Sequence, residues 1–278
     1  SISVNAAAFL ENGEELLRLA RVRRIRLLGV APILTELIES PLLASVRELD
    51  LCGEELGNGG LQLLIRSPFL NDLHALDLGF NSIDDAGVVA LAGASTLVNL
   101  TGLSLNDNKE ITSLGIVALR ESPFFTGLTA LDLSGNSIDS HGVRSLTDEK
   151  AFPRLHSLRL KGNPIEDEGL GILIESPLFE RMLDRSQRVD FRDNDIGPDG
   201  VAMLAGSPLL ANCTSIDLTG NFSGDRGFVA LVTSPNLDSV RTLKLGGNQI
   251  TDAGVTGMRR ALQALLARLH VLDLSENR

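Results

Sequence analysis

A repeat of about 27 residues organises this chain, and an asparagine after a Leu-x-x-Leu-x-Leu pattern marks each copy. The marker residues are Asn81, Asn108, Asn136, Asn163, Asn194, Asn221, Asn248 and Asn277. The intervals between them are 27, 28, 27, 31, 27, 27 and 29 residues. Degenerate copies at 25–27 and 49–54 bring the array to about ten units. A fixed period of this length predicts a stack of units, because one unit cannot bury its apolar face alone.

Each repeat contains a strand half and a helix half. The Leu-x-x-Leu-x-Leu half alternates with period two, which predicts a short strand. The half that follows, as at 84–91, begins with aspartates and then places apolar residues at helical spacing. Strand and helix are therefore expected to alternate along the whole array.

Glycine and proline recur at fixed places in the helix half. The helix glycines are Gly60, Gly87, Gly115, Gly142, Gly169, Gly200, Gly227 and Gly254. Glycine inside a helix costs about 1 kcal/mol relative to alanine, so its recurrence predicts a close approach of the helix to the strand layer. Most helices are followed by Ser-Pro, as at Ser122-Pro123, and the proline is expected to end the helix.

This layout resembles the leucine-rich-repeat family. The pattern L-x-x-L-x-L-x-x-N-x-I-x-x-x-G-x-x-x-L is similar to its ribonuclease-inhibitor-like subclass, and the Ser-Pro-x-Leu spacer is similar to bacterial arrays. The resemblance implies an α/β solenoid, a horseshoe with a concave parallel β-sheet and convex helices. We predict one domain over 1–278, with 1–22 as an N-terminal cap and 23–278 as repeats. The fold alone does not name the ligand, since one fold hosts many functions.

Three departures from the pattern predict local differences. Glu54 stands in an asparagine slot, so the expected ladder of asparagine amides should begin after it. Ser223 stands where most repeats have isoleucine, and Phe222 is expected to fill that volume. Residues 180–188 lie in the 31-residue interval, which predicts an irregular loop there.

At both ends of the array, the apolar core must be shielded from water. Apolar residues within 6–20 share one face of a predicted helix, which we interpret as a cap. Five arginines follow or overlap it, and they either complement the helix C-terminus or form a docking patch for an acidic partner: Arg18, Arg21, Arg23, Arg24 and Arg26. The last strand, near Leu274, has no helix after it, which predicts further sequence or end-on self-association at its edge.

Composition limits the partner and the compartment. The net charge of −11 disfavours nucleic acid, which needs a basic surface. Cys52 and Cys213 lie too many repeats apart for a disulfide, so we expect reduced thiols and a cytoplasmic protein. We see no signal peptide and no apolar run of membrane-spanning length, and we expect no membrane association. Because the sequence begins without Met, we expect a piece of a longer, bacterial polypeptide.

The sequence offers no convincing catalytic constellation. Three of the four histidines, His74, His156 and His270, share one repeat position, which favours packing or turn bonding over catalysis. No His-Glu-x-x-His, Cys-x-x-Cys or phosphate-binding loop is present. Many carboxylates fall in first helical turns, where the helix dipole favours them. We expect no catalytic residue, no metal and no cofactor.

One exposed position, between the two inward leucines of each strand, forms a row along the stack. The row reads Arg26, Asp50, Asp77, Ser104, Asp132, Arg159, Asp190, Asp217, Lys244 and Asp273. Aspartate is a common default in such repeats, which is one explanation. The other is an acidic binding surface with a basic notch between Arg159 and Arg192. The candidate partner-binding residues are Asp77, Asp132, Arg159, Lys161, Arg188, Asp190, Arg192, Asp217, Lys244 and Asp273.

These features together favour binding over catalysis. We predict a non-enzymatic scaffold that binds a protein partner of unknown identity through the concave sheet. The alternative is a regulatory or targeting module of a larger multidomain enzyme, and an adjoining catalytic domain would favour it. A GTPase-activating protein is a third class, and it rests on fold analogy alone.

Overall fold

The structure, a computed structural model, describes residues 2–20 and 24–278. These residues form two compact units. The first unit comprises the described part of Ser1–Ser137 together with Asp148–Leu158. The second comprises Ile138–Thr147 and Arg159–Arg278.

Parallel strands in sequence order form the sheet of each unit. The first sheet contains β1 (Ile2–Asn5), β2 (Arg24–Leu28), β3 (Glu48–Asp50), β4 (Ala75–Asp77), β5 (Gly102–Ser104), β6 (Ala130–Asp132) and β7 (Ser157–Arg159). The second contains β8 (Arg188–Asp190), β9 (Ser215–Asp217), β10 (Thr242–Lys244) and β11 (Val271–Asp273). Strand β7 ends at the division, since its last residue, Arg159, belongs to the second unit.

Helices join successive strands in both units. The first unit has α1 (Ala6–Ala20), α2 (Leu34–Ile38), α3 (Gly57–Leu64), α4 (Asp85–Ala92) and α5 (Ser113–Glu121), with short 3₁₀ turns at Ala31–Ile33, Pro41–Ser45 and Ser95–Leu97. The second has α6 (Ser140–Leu146), α7 (Glu166–Ile174), α8 (Pro177–Ser186), α9 (Pro198–Gly206), α10 (Gly224–Val232), α11 (Asp252–Gly257) and α12 (Arg259–Leu266), with a 3₁₀ turn at Pro208–Asn212. The predicted alternation of strand and helix is confirmed, and so is the α/β fold class.

The core of each unit lies between its strands and its helices. In three-residue strands such as β4, the middle residue and the leucine that follows the strand are both buried, as Leu76 and Leu78 are. Each such side chain contributes roughly 1.5–3 kcal/mol by leaving water. The residues between them face away from the core and are partly exposed, as Asp77 is.

Marker asparagines form a hydrogen-bonded ladder behind the strands. The Asn108 Oδ1 atom accepts from the backbone N–H groups of Asn81 and Ile83, both at 3.0 Å. Its Nδ2 atom donates to the Leu78 carbonyl at 3.0 Å. The next rung repeats the bond, since Asn136 Oδ1 accepts from Asn108 N–H. The predicted ladder is therefore confirmed in the first unit.

The second unit has the same ladder. In the first unit, one further hydrogen bond of the ladder type is made by Glu54. Asn194 Oδ1 accepts from Asn163 N–H at 3.1 Å. In the first unit Glu54 Oε2 accepts from Val30 N–H at 2.8 Å, as an asparagine oxygen would. The expectation that the ladder begins after Glu54 is therefore wrong, because Glu54 accepts a hydrogen bond from the preceding repeat. A carboxylate has no N–H group, so Glu54 cannot make the hydrogen bond that an asparagine Nδ2 donates to a backbone carbonyl.

Two local expectations are wrong. Phe222 does not fill the volume beside Ser223: its side chain is 49% exposed. The loop expected over 180–188 is mostly helix α8, because Pro177 begins a helix and Leu178, Phe179 and Leu183 bury its apolar face. The helix ends at Gln187, which adopts the left-handed conformation.

The two ends of the described chain differ. At the start, β1 pairs in parallel with β2, and the helix α1 buries Ala6 and Phe9. Arg21 and Arg23 of the basic run lie outside the described residues. At the other end Leu272 and Leu274 are only half-buried, and Val271 is exposed.

Candidate interaction surface

Polar side chains from successive strands line up on the sheet face that points away from the core. In the first unit the register places Arg26, Asp50, Asp77, Ser104 and Asp132 beside one another, and we call them the first row. In the second unit it aligns Asp190, Asp217, Lys244 and Asp273, which we call the second row. Neighbouring strands are about 4.8 Å apart, so each row is a closely spaced series of charges.

A local hydrogen bond explains why aspartate recurs in these rows. The Asp77 Oδ1 atom accepts from Gly79 N–H at 3.0 Å, two residues further along the chain. The same bond recurs at the other aspartates of the two rows, which accept from the N–H two residues on: Asp50 from Cys52, Asp132 from Ser134, Asp190 from Arg192, Asp217 from Thr219 and Asp273 from Ser275. Aspartate favours this local turn because its short carboxylate reaches the backbone two residues on.

Ion pairs join most charges of the second row. Arg192 donates from Nε and Nη2 to the two oxygens of Asp190 at 2.8 and 2.6 Å. Lys244 Nζ lies 3.2 Å from Asp217 Oδ2, and Arg192 Nε lies 3.7 Å from the same oxygen. Beside them Lys161 Nζ lies 3.8 Å from a carboxylate oxygen of Asp193. The basic side chains Lys161 and Arg192, which were predicted to form a basic notch, thus form ion pairs with neighbouring carboxylates.

These contacts shift the pKa values of the paired groups. Burial alone would raise the pKa of Asp190, but the hydrogen bonds and charge of Arg192 lower it overall. The hydrogen bond to Asp190 raises the pKa of the Arg192 guanidinium. Both groups therefore stay charged at neutral pH, and each offsets the other's charge.

The first row has one basic member, Arg26, beside Asp50, whereas Asp77 lies between Asp50 and Ser104. Within the described residues, neither Asp50 nor Asp77 forms an ion pair with a lysine or arginine. Burial, followed by repulsion from Asp50, raises the pKa of Asp77. Burial and the charges of Asp77 and Asp50 also raise the pKa of the Cys52 thiol. The centre of the first row is a place where negative charge accumulates.

Small residues flank only part of the first row. On one side Ala75, Gly102 and Ala130 are in register, but the position beside Asp50 is Glu48, whose carboxylate lies 3.7 Å from Arg24. Asp77 and Asp132 therefore stand beside small side chains, and Asp50 does not. In the second row, the exposed Arg188 flanks Asp190, and Ser215 and Thr242 occupy the next two flanking positions.

The structure thus divides the predicted site residues between the units. Asp77 and Asp132 lie in the first unit, and the other eight lie in the second. Within the second unit it brings Asp190, Arg192, Asp217 and Lys244 into one ion-paired group. Asp273, on the last strand, keeps a lowered pKa through its hydrogen bonds to Ser275.

Two further surface features were missed by the sequence analysis. Val89 and Leu114, on the outward faces of α4 and α5, are 57% and 72% exposed. The signal was visible, because α4 has no polar side chain after Asp85. A cavity of about 150 Å³ lies beside α8 and is lined by Glu180, Leu183, Asp184, Gln187, Leu209 and Asn212. Only the longer interval in the repeat pointed to that region.

The described residues form neither a metal centre nor a membrane-spanning helix. In the described part of the chain, no three His, Cys, Asp or Glu side chains cluster in a way that could hold a metal ion. Over the same residues, no helix has both the length and the apolar character that spanning a bilayer requires. Both cysteines are free thiols.

Sequence comparison matches the repeats to a known family. A family model described as a leucine-rich repeat matches residues 70–92, 127–146, 154–171, 187–205 and 238–258. The match falls on segments where strand, ladder asparagine and helix follow one another in the structure. These five segments of the chain are similar to leucine-rich repeats. No curated protein matches the chain.

Two solved structures resemble the chain at low identity. An internalin (inlF) from Listeria monocytogenes has 22% identity and a TM-score of 0.47, with 90% of this chain and 74% of that chain covered. A TLR13–ssRNA13 complex has 20% identity and a TM-score of 0.48, with 92% of this chain covered. This chain spans only 39% of the TLR13 chain.

Proposed function

We propose that this protein binds a protein partner through the strand face of its leucine-rich repeats and catalyses no reaction. The observation that carries the proposal is the register of the two rows. Polar side chains from successive repeats stand side by side on a face that the protein's own helices leave uncovered. Stacked repeats in general use such continuous surfaces for binding.

We propose different roles in partner recognition for the two rows. In the second row, Asp190, Arg192, Asp217 and Lys244 offset one another, so they favour shape and hydrogen-bond recognition. In the first row, Asp77 has no ion pair among the described residues, and Arg26 is the register neighbour of Asp50. Nucleic acid is not proposed as the partner, because acidic rows repel phosphates. Complementary charge on a partner protein would instead raise its association rate and specificity.

A capture experiment with matched variants tests the proposal. The immobilised protein is exposed to extract from cells that produce it, and the retained proteins are identified by mass spectrometry. We compare the wild type with a first-row variant (Asp50→Asn, Asp77→Asn) and a second-row variant (Arg192→Gln, Lys244→Gln). The control is Arg259→Gln with Arg260→Gln, two exposed residues of α12.

The expected result is a protein held by the wild type and by the α12 control, and lost by at least one row variant. Loss from the control alone, or equal retention by all four proteins, would contradict the proposal. The control changes the net charge by the same amount as the second-row variant. A general charge effect is therefore separated from a local one.

Subclass and compartment are part of the same proposal. We place the repeats in the ribonuclease-inhibitor-like subclass and in a bacterial protein, on the grounds of the repeat length and the helix in each unit. The free thiols Cys52 and Cys213 support a reducing compartment, and we propose the cytoplasm. Fractionation of producing cells tests the compartment, and recovery outside the cytoplasm would contradict it.

Self-association at the last strand is a second candidate contact. Leu272 and Leu274 are only half-buried there, and Val271 and Leu266 are exposed. In the described residues β11 is an edge strand of its sheet, and an edge strand beside apolar side chains can pair with another copy. Sedimentation velocity should show a dimer that Val271→Lys weakens. A wild-type protein that stays monomeric at high concentration would exclude this contact.

A further inference from the structure

The most exposed phenylalanine of the chain lies on the turn that follows β4. Six of the ten phenylalanines are buried in the core, whereas Phe80 is 57% exposed. A ring left in water forgoes the free energy that its burial would contribute. Packing within the first unit therefore does not explain why a phenylalanine stands here.

The backbone of Phe80 adds a conformational cost. Its φ of 55° lies in the left-handed region, which a bulky L residue rarely adopts. The equivalent turn residues of the first unit are Gly53, Asp107 and Gly135, with φ values of 77°, 55° and 69°. Glycine has no Cβ to clash, and aspartate enters this region more readily than phenylalanine does. The turn requires a positive φ, which explains glycine or aspartate at this position but not phenylalanine.

The position of Phe80 gives these two costs a functional explanation. Features that weaken a fold concentrate at functional sites, where the strained residue has another role. Phe80 follows the row residue Asp77 on the turn at the end of β4, and its N–H donates to the Asn106 carbonyl of the next turn at 2.9 Å. The ring therefore stands at the edge of the strand face that is the proposed binding surface.

The surroundings of Phe80 leave apolar surface as the main contact available to a partner. On one side the adjacent turn carries Gly53, and a Cβ added to this glycine would meet no atom within 4 Å. On the other side Asn106 Nδ2 donates to Asp107 Oδ2, and Ser104 Oγ donates to Asn106 Oδ1, both at 2.7 Å. The polar side chains beside the ring are thus hydrogen-bonded to one another, and the space over Gly53 is open.

We propose that Phe80 anchors the partner protein by inserting its ring among apolar side chains of that partner, which lie over Gly53. This inference rests on the proposed function and names the chemistry of its partner at this turn. Aromatic side chains are enriched at protein interfaces, and burial on binding regains the free energy that the exposed ring forgoes. An arginine stacked on the ring is the competing occupant, and replacing the ring by an aliphatic side chain distinguishes the two.

The test uses short random peptides displayed on phage as its probe. Phage are selected on the immobilised full chain, and the enriched peptides are synthesised with a fluorophore. Their dissociation constants are measured by fluorescence anisotropy against the wild type, Phe80→Gly and Phe80→Leu. The matched control is Leu114→Ser, which removes a 72% exposed apolar side chain from the helix face of the same unit. Thermal unfolding of every variant is recorded with the binding data.

The expected peptides carry apolar or aromatic residues, and they should bind Phe80→Gly about tenfold more weakly than the wild type, as for an interface anchor. Phe80→Leu should bind them within about threefold of the wild type, because leucine keeps most of the apolar area. Leu114→Ser should bind them within about twofold. The unfolding midpoint of Phe80→Gly should equal or exceed that of the wild type, because glycine adopts the positive φ without a steric clash.

Several results would overturn the inference. Peptides that bind Phe80→Gly as tightly as the wild type, or a selection that enriches no peptide, would exclude the anchor. An equal loss with Leu114→Ser would mean that the peptides respond to any exposed apolar side chain. Basic peptides that Phe80→Leu loses as completely as Phe80→Gly would show that the ring stacks on a cation instead. A midpoint of Phe80→Gly that falls by more than about 3 °C would show that the ring stabilises the fold.

Failure of the inference is separable from failure of the proposed function. A captured protein that a row variant loses but Phe80→Gly retains removes only the anchor. Peptides that depend on Phe80, with capture unchanged by both row variants, remove the proposed function of the strand face. In that case Phe80 remains a binding site for apolar peptides on its turn alone.

Discussion

At the scale of single residues, aspartate serves two purposes that the structure separates. One oxygen of Asp77 closes the turn at its strand end through Gly79 N–H. The charge of the same carboxylate is held beside Asp50 without a basic partner among the described residues. A residue needed only for this turn could be neutral, because an asparagine oxygen can accept the same hydrogen bond.

The pKa of Asp77 gives a pH-dependent prediction. Burial and the charge of Asp50 raise this pKa in the folded state, so the folded protein binds the proton more tightly than the unfolded chain. The ionised carboxylate therefore lowers stability at neutral pH, and this cost disappears as the pH falls through the raised pKa. Asp77→Asn should raise the midpoint of thermal unfolding by roughly 1–2 °C at pH 7. The gain should vanish near pH 3.

Asp225 is a control for this prediction, because its pKa is shifted in the opposite direction to that of Asp77. Hydrogen bonds from the Thr251 N–H and hydroxyl lower its pKa. Its charge therefore stabilises the fold above the ordinary aspartate pKa, and this contribution is lost as the pH falls through the lowered pKa. Asp225→Asn should lower the midpoint at pH 7 and approach the wild type in acid. If both variants shift the midpoint in the same direction at pH 7, the electrostatic explanation is wrong.

Two buried serines of the second unit allow a second prediction. Ser223 is fully buried, and its hydroxyl has no hydrogen-bond partner among the described residues. Ser234 is also buried, but its hydroxyl donates to the Ala205 carbonyl at 2.6 Å. By urea unfolding, Ser223→Ala should be neutral or stabilising by up to about 1 kcal/mol, whereas Ser234→Ala should cost about 1–2 kcal/mol. A larger loss for Ser223→Ala would show that its hydroxyl is bonded after all.

At the scale of elements, side chains at helix starts connect one repeat to the next. Asp85, at the start of α4, accepts from Thr112 N–H at 2.8 Å and from Gly115 N–H at 2.9 Å. Asp225 makes the equivalent contact with Thr251 in the second unit. The acidic first turns therefore cap the following helix, in addition to any interaction with their own helix dipole.

This contact corrects the role predicted for the helix glycines. A Cβ added at Gly115 would lie 2.7 Å from Asp85 Oδ1 and 3.3 Å from the Val88 side chain. The predicted approach to the strand layer is therefore wrong, because the nearest neighbour belongs to the preceding helix. Glycine leaves room for the aspartate that caps its helix.

Two glycine-to-alanine changes test this assignment. Gly115→Ala should cost about 1–3 kcal/mol, because it displaces a carboxylate that holds two backbone N–H groups. Gly206, the last residue of α9, would place a Cβ in open space. Gly206→Ala should stabilise the protein by about 0.4–1 kcal/mol. Chemical denaturation measures both, and equal effects would contradict the packing role.

The serines before proline were also underestimated. Ser122 donates to the Ala92 carbonyl of the preceding helix at 2.6 Å, and it accepts from Phe124 N–H. Ser67 makes the same bond to Ile38. The sequence analysis used only the proline, which ends the helix. The serine ties that helix end to the previous repeat.

At the scale of the whole molecule, the sequence predicted what the period itself dictates. The strands, the helices and the asparagine ladder follow from residues that recur in each unit, such as Asn108 and Leu78. The row of site residues followed from the same alternation. The repeat period could not predict contacts that depend on side chains found in only one repeat. The Arg192–Asp190 pair, the helix α8 and the contact of Gly115 with Asp85 are of this second kind.

Two surfaces compete for the partner at this scale. One is the strand face around Asp77 and Ser104. The other is the outward helix face around Val89 and Leu114, which is apolar and exposed. Burying apolar area could also drive association there, so a test must place a reporter on each surface.

Site-specific photo-crosslinking tests the central claim most directly. Benzoylphenylalanine replaces Ser104, in the first row, in one protein, and Leu114, on the helix face, in another. Both proteins are irradiated in the presence of the captured partner, and the products are identified by mass spectrometry. The account predicts a crosslinked partner from position 104 and none from position 114. Crosslinking from position 114 alone would contradict it and move the interaction surface to the helices.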